Sequence, residues 1–407
     1  MKKIIVLFGH KAVVKAAKDQ GFYIINILQS DMLHSTFIKA CKFADQTIVI
    51  NDLLEIETVV KGLAAIGTID GVVSFTDTRN GVLKAAELTE KYFSNNHFVS
   101  VEAVNMLLDK KKMRDYLHSL NLKRVPNAIP KNLDDVRSFL EQYGNAIVKP
   151  INGQASCDIF FVRPEMDLQN IWDDQVFDRM TKGCFIIEKF ILGQEYSVET
   201  LTDNGNTLIL GVTDKYKIPK KMGHSEFVES GHIFPAQLEK NRLSKISNTI
   251  FKFFNNLNIS NSLGHTEFIF EKETNDIYII ESHLRAGGDC IPDLVEEVSG
   301  FNPYYLFFKA IDKEKVPEFN YEGQAAIYYF IPRIGEITQV TFETQEGFKD
   351  IHIKDRLDFT NKKVGKILNS FDRKWGYIIL SGNDLQEKAR KYFDTIHIKY
   401  EGDRRMS

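Results

Sequence analysis

The feature that most constrains this chain is the regular exchange of short apolar runs and amphipathic helical patterns over residues 3–93. Lys3–Phe8 reads as a buried strand, and a helical pattern follows from Ala12 to Gln20. Gly21 ends that helix, and Phe22–Leu28 is a second strand. The exchange continues with Thr47–Ile50, a helix near Glu55–Ala65, Asp70–Phe75 and a helix over Asn80–Phe93. Alternation of this kind requires a parallel sheet with helices on both faces. No GxGxxG follows the first strand, so the dinucleotide-binding fingerprint is absent from this unit.

The chain is too long for that unit alone: 407 residues, at ~150 per domain, imply two or three domains. A helix over about Asp109–Leu120 carries Met113, Tyr116, Leu117 and Leu120 on one face, and Pro126 and Pro130 then punctuate the sequence. From Asn145 the texture changes to strands joined by short turns. One amphipathic helix interrupts them, with Leu243, Ile246, Ile250, Phe254 and Leu257 at helical spacing. A helix with Ile291, Leu294, Val295 and Val298 is closed by Gly300. The net charge of −3 offers no bulk attraction to nucleic acid or an anionic membrane. No stretch approaches the ~20 apolar residues that span a bilayer, and the basic, apolar start MKKIIVLFGH reads as a strand rather than a signal peptide. The four cysteines form no close cluster, which points to a reducing compartment, and the cytoplasm is the expected location.

The chemistry concentrates in GHTEFIFEKETNDIYIIESHLRAGGD, two strands around a polar turn. If they pair antiparallel about Thr274, Glu267 and Glu281 face each other directly, with Cβ atoms ~5 Å apart. Alternation then puts His283 and Arg285 on the same face as Glu281. Opposed carboxylates suit a hard divalent cation that shares its ligands with phosphate oxygens, and an adjacent guanidinium suits a developing anion. The plain alternative is a solvated strand face on which Arg285 pairs Glu281. The paired glycines after Arg285 favour the functional reading, because they let backbone N–H groups approach an anion.

With these motifs in place, residues from about Asp109 to Ile311 resemble the ATP-grasp superfamily of carboxylate–amine ligases, and within it the L-amino acid ligases that join two amino acids. The resemblance implies an ATP-grasp fold, α/β and α+β in class. An N-terminal Rossmann-like domain would cover residues 1–108 and an ATP-grasp domain 109–312. The latter would comprise a small nucleotide-clamping lobe (about 120–200) and a larger catalytic lobe (about 201–312), with a β-rich C-terminal subdomain over 313–407. DKKKMRDYL resembles the helix start whose lysine, here Lys110, contacts phosphate. AIVKPINGQAS resembles the strand and loop whose lysine is Lys149, although the loop carries only Gly153 where many relatives have several glycines. In IIEKFILGQEYSVE the resemblance gives Glu188 the adenine amino group, the backbone near Phe190 and Ile191 the ring edge, and Glu195 the ribose hydroxyls. Lys215 is a further phosphate contact.

By the same resemblance Glu267 and Glu281 hold Mg2+, two ions being expected and Mn2+ the alternative, and Arg285 stabilises the transferring phosphoryl group and the tetrahedral intermediate. His283 stands where the family commonly has Asn, so it binds the metal either directly or through water. FVESGHIFP resembles the segment lining the amino-acid pocket, with Glu229 meeting an ammonium group and His232 beside the reacting carboxylate. Gly288 matches a backbone contact to substrate, and Asp289 stands where some dipeptide-forming relatives carry a bulky residue. The implied reaction activates a carboxylate as an acyl phosphate with ATP and passes it to an amine. Small-molecule substrates, in particular amino acids, and a homodimer are expected. The alternatives are an ATP-grasp carboxylase, a nucleotide-precursor ligase, or a non-catalytic ATP sensor.

Overall fold

In the computed structural model, strands Lys3–Leu7, Tyr23–Gln29, Gln46–Ile50 and Gly71–Val73 form the expected parallel sheet. Their order is third, second, first, fourth. The residues described are 1–93, 98–153, 155–170, 172–318, 320–343 and 352–403, without the side chains of Ser35 and Asn170. One sheet face buries Ile4, Val6 and Ile24 against helix Lys11–Asp19 and against Phe307 and Phe308 of helix Pro303–Ile311. The other buries Ile5, Leu7 and Ile25 against Ile56 and Val60 of helix Glu55–Ile66. The N-terminal unit is thus packed onto a helix more than two hundred residues away in sequence.

Helices Ser35–Cys41 and Val101–Leu108 go beyond the sequence reading, as do Leu133–Tyr143, Asp174–Thr181 and Pro303–Ile311. Ser100 caps Val101–Leu108 through a hydrogen bond accepted from the Ala103 N–H, and Asp109 caps the next helix, Lys110–Ser119, in the same way at Lys112. The two run end to end, burying Ala103, Val104, Leu107, Met113 and Leu117 in one core.

The main sheet has eight antiparallel strands. They run in the order Ile277–His283, Ser262–Glu271, Gly193–Asp203, Asn206–Lys217, Glu229–Phe234, Gln324–Tyr329, Tyr377–Gly382, His352–Asp355. The last three come from the C-terminal segment, so that segment extends the sheet, with helix Leu385–Asp394 and a three-stranded sheet beside it. Helix Lys240–Phe254 covers one end of the sheet with Ile246, Ile250, Phe253 and Phe254. Leu243 of the expected stripe is instead 39% exposed, and Phe253 takes the core position.

A smaller antiparallel sheet orders Asn127–Ala128, Phe185–Lys189, Ala146–Pro150 and Phe160–Val162. Phe185 and Ile187 point into a core with Val136, Phe139, Leu140 and Trp172. Their neighbour Glu188 therefore projects to the opposite face. There Arg114, fully buried, holds it in a two-pronged pair: Nε donates to Oε1 at 2.6 Å and Nη2 to Oε2 at 3.2 Å. Lys149 Nζ lies 2.8 Å from Oε2, and Arg114 Nη2 also donates to the Ile280 carbonyl at 2.8 Å. One guanidinium so ties the Lys110–Ser119 helix to both sheets. All four cysteines are free, and among the described residues no helix is long and apolar enough to cross a membrane.

Burial opposes ionisation of Glu188, but Arg114 and Lys149 outweigh it and hold the carboxyl down from 4.5 to about 2. Its contribution to stability is therefore complete above pH 4.5 and lost as pH falls toward about 2. Glu188→Gln is expected to lower stability by about 3–5 kcal/mol near neutral pH, because two buried cations lose their partner. The deficit relative to the wild type should narrow across that acid range. Denaturant unfolding read at Trp172, buried beside Glu188's strand, measures both.

Candidate active site

The site is built on the Ser262–Glu271/Ile277–His283 hairpin. His265 pairs with His283, Thr266 with Ser282 and Glu267 with Glu281, which is the register implied by a turn centred on Thr274. The pairing then slips to Phe268 with Ile279, leaving Ile280 over as a bulge. The Ile280 carbonyl is the one that receives Arg114. Immediately before the slip the two glutamates face each other.

Each carboxylate has its own cations. Lys110 Nζ donates to Glu281 at 2.9 Å and to the Gly153 carbonyl at 3.0 Å, and His283 Nε2 is 3.3 Å from Glu281. Lys215 Nζ donates to Glu267, with Glu229 at 3.4 Å and Glu195 at 3.6 Å. Lys217, two residues on and so on the same strand face, lies 3.1 Å from both Glu195 and Glu229. Burial works against the charges of Glu229, Glu267, Glu281 and Lys215. The lysines nevertheless hold Glu267 and Glu281 well below the usual carboxylate range and Glu229 down to about 2, and the carboxylates hold Lys215 well above the lysine range.

Two buried carboxylates behind this layer fix its histidines and arginine. Glu199 lies 3.0 Å from His265 Nδ1, while His265 Nε2 is 3.3 Å from Glu267. Burial would lower the His265 pKa, but Glu199 and Glu267 raise it to about 9, so the imidazole is protonated at neutral pH. Asp77, from the loop after the last parallel strand, lies 2.8 Å from His283 Nδ1 and accepts from Arg285 Nε. Arg285 is therefore not the simple partner of Glu281: its Nη1 donates to its neighbour Ala286's carbonyl, and its ion pair is with Asp77. A side chain at Gly287 would strike His265 and Glu199, whereas Gly288 faces open space. The two glycines thus serve packing and access respectively.

Two cavities meet at the hairpin. The first, about 150 Å³, has apolar walls that include Ile147, Phe190, Ile191 and Ile269 and polar groups Lys110, Lys149, Glu188 and Glu195. Every residue expected to hold nucleotide lines it, except Lys215, which lines the second cavity. Burial pulls Lys149 below the ordinary lysine range against the opposing charge of Glu188. Both Glu188 oxygens already accept from Arg114 and Lys149, so any nucleotide contact there shares an occupied carboxylate. The Phe190 N–H is bonded to the Asn145 carbonyl. Above the cavity Ala155, Ser156 and Asp158 take left-handed backbone that glycine would adopt without strain. Ser156 Oγ donates to the Phe227 carbonyl, and the Ser370 N–H to the Ala155 carbonyl.

The second cavity is about 590 Å³ and shares Ser156, Glu229, Glu267 and Glu281 with the first. His232, His283, Arg285, Gly288 and Asp289 line it. Asp289 is held by Arg373 Nη2 at 2.8 Å and by His232 Nε2 at 3.3 Å, and Arg373 Nη1 donates to the Glu229 carbonyl. The sequence reading did not single out Asp77, Arg114, Glu199, His265, Lys217 or Arg373. Only two had a readable signal. Arg114 sits one helical turn after Lys110, and Asp77 follows the carboxyl end of a parallel strand.

The oxygen donors fit a hard divalent cation. Glu267 and Glu281 oppose each other, and Glu195, Glu229 and Glu267 bring carboxylate oxygens within 4.8 Å of one another.

Comparison with known proteins bears on the family and the fold. Residues 143–293 match the family model described as an ATP-grasp domain. The chain is 26% identical over 239 residues to the alanine–anticapsin ligase of Bacillus subtilis (strain 168), covering 52% of this chain and 48% of that protein. It is 24% identical over 232 residues to the carbamoyl-phosphate synthase of Methanobrevibacter smithii, covering 56% and 60%. The chain thus spans about half the length of the curated relatives it matches. Among solved structures, the L-amino acid ligase from Bacillus licheniformis superposes with a TM-score of 0.76 at 20% identity, covering 98% of this chain and 99% of that one. The N5-carboxyaminoimidazole synthetase from Staphylococcus aureus, complexed with ADP, gives 0.71 at 16% identity over 97% and 96%. This chain carries an ATP-grasp domain and has the ATP-grasp fold along almost its whole length.

Proposed function

We propose that this protein is an ATP- and Mg2+-dependent carbon–nitrogen ligase that activates the carboxylate of an L-amino acid and joins it to the amine of a second. The observation that carries the reading is the pair of opposed glutamates, Glu267 and Glu281, standing where the two cavities meet and paired with Lys215 and Lys110 respectively. In this reading residues 109–312 supply most of the chemistry, residues 1–108 wall the substrate cavity, and residues 313–407 reach the site through Arg373.

ATP lies in the smaller cavity with its base between the apolar walls and its phosphates toward Lys110 and Lys149, and Glu195 accepts from the ribose. A substrate carboxylate oxygen attacks the γ-phosphorus, the bond to ADP breaks, and an acyl phosphate forms. The amine nitrogen then attacks the acyl carbon, phosphate leaves with the bonding pair, and the nitrogen gives up a proton. Glu229 receives the ammonium group of the activated amino acid, with His232 beside its carboxylate. Arg285, oriented by Asp77, faces the transferring phosphoryl group and then the tetrahedral oxyanion. Glu267 and Glu281 would hold two Mg2+ ions, or Mn2+, with His283 fixing the Glu281 carboxylate from Asp77's side. The ions supply charge neutralisation of the phosphates. Most of the acceleration comes from positioning and preorganised charge.

Two substitutions test the assignment. Glu281→Gln is expected to abolish ADP formation with any donor, whereas normal amide synthesis by this variant removes Glu281 from the metal site. Arg285→Ala should keep nucleotide affinity within a few-fold while product formation falls ~100- to 1000-fold. Equal loss of nucleotide binding, measured by calorimetry, would assign Arg285 to ATP rather than to the reacting groups.

A further inference from the structure

We propose that Ser370, from the C-terminal segment, is a positioning residue whose backbone N–H holds the stretch Ala155–Asp158 over the nucleotide cavity. The ligase reading above supplies the nucleotide, and the contact that holds the loop goes beyond it.

Ala155–Asp158 does not keep its shape unaided. Ala155, Ser156 and Asp158 have φ of 56°, 58° and 53°, the left-handed region in which a side chain is strained and glycine is not. None of the three is glycine. Strained backbone of this kind persists only where the surroundings impose it. Three contacts do so. The Ser370 N–H donates to the Ala155 carbonyl at 3.0 Å, Ser156 Oγ to the Phe227 carbonyl at 3.1 Å, and Arg179 Nη1 to Asp158 at 2.7 Å. The last joins two exposed groups of the small lobe itself and so adds little. The first two tie the loop to the opposite wall, where Phe227 precedes the strand Glu229–Phe234 and Ser370 opens the helical turn Ser370–Asp372.

That turn is itself firmly built. Asn369 caps it, accepting from the Phe371 N–H at 3.0 Å, while Asp372 accepts from the Asn369 N–H at 3.2 Å. Arg373 Nε donates to the Ser370 carbonyl at 3.1 Å, and its guanidinium lies 3.8 Å from the centre of the Tyr329 ring. The same guanidinium reaches the Glu229 carbonyl and Asp289, and Ser370 Oγ donates to Glu229 at 3.4 Å. The anchor of the loop is therefore fixed to the wall of the larger cavity. Ser156 lines both cavities, Cys157 the nucleotide cavity, and Ala155 and Ser370 the larger one. With three left-handed residues to relax, the loop moves off the nucleotide once the Ser370 N–H is gone. Nucleotide that favours the held loop strengthens the anchor by the same factor that the anchor strengthens nucleotide binding.

Ser370→Pro tests this in the full chain. Proline fits the first position of a helical turn, and Asn369 before it is already extended at φ −148° and ψ 173°, so the turn survives without the N–H. Calorimetry with Mg2+ and a non-hydrolysable ATP analogue should show affinity lowered ~10-fold, and a smaller loss for Ser370→Ala, which keeps the N–H. In a second arm, ATP, amino-acid donors and hydroxylamine trap the acyl phosphate as a hydroxamate. Water reaching the acyl phosphate instead returns the carboxylate and releases phosphate without hydroxamate. The phosphate-to-hydroxamate ratio should therefore rise ~3-fold or more in Ser370→Pro. Loss of folded protein alone lowers both products equally and leaves that ratio unmoved. An analogue affinity within ~2-fold of the wild type, or an unchanged ratio, overturns the positioning role and leaves the ligase reading standing. No hydroxamate from the wild type with any donor overturns that reading, and the calorimetry then decides the role of Ser370. Should Ser370→Pro fail to fold, amide exchange at Ser370 in the wild type decides. Slowing of ~10-fold or more on binding the analogue supports the contact, and no slowing overturns it.

Discussion

Two glutamates placed face to face across an antiparallel pair repel, and much of the surrounding structure exists to make that placement tolerable. Glu267 is neutralised by Lys215 and His265, and Glu281 by Lys110 and His283. Each histidine is turned by a carboxylate behind it, Glu199 in one case and Asp77 in the other. The cations come from a helix start, a strand two places along the sheet and the hairpin itself, Glu199 comes from the strand between, and Asp77 from the N-terminal unit. The same charges that permit the opposed pair thus bind five separate stretches of chain to one point. Removing any one of them leaves a buried partner uncompensated, which is the costly case for ion pairs.

The arrangement also holds the proposed site stiff before any substrate arrives. In the proposed reading nucleotide phosphates would draw Lys110 and Lys215 from the carboxylates that now hold them, exchanging one set of oxygen partners for another. The cations need not be ordered anew, which limits the cost of binding. Arg114 plays the structural counterpart. It carries no exposed surface, yet it fixes Glu188, and through it Lys149, relative to the hairpin bulge at Ile280. The small sheet therefore cannot tilt without disturbing Lys149.

Much of this was legible in the sequence, for identifiable reasons. Alternating strands and helices set the N-terminal sheet, and the symmetry of the turn about Thr274 set Glu267 opposite Glu281, because register follows from turn position when two strands are adjacent. The bulge at Ile280 was invisible, since one extra residue leaves the alternation intact on the functional side of it. Asp77 and Arg373 were missed for a different cause. Their partners lie 208 and 84 residues away, and pairing at that range depends on how whole units dock. Leu243 illustrates the limit of periodicity: the spacing fits the stripe, yet the sheet's edge leaves that turn of helix half-exposed. The helix Val101–Leu108 had its signal in the Ser100 cap, obscured by an apolar run that reads equally as strand.

The central claim is that Glu267 and Glu281 jointly hold the divalent cation while the lysines beside them move to phosphate. A crystal structure with Mg2+ and a non-hydrolysable ATP analogue tests it most directly. The predicted result is metal density bridging the Glu267 and Glu281 carboxylates, with Lys110 and Lys215 turned from them onto phosphate oxygens. Metal seated instead among Glu195, Glu229 and Glu267, with Lys110 still paired to Glu281, would contradict it.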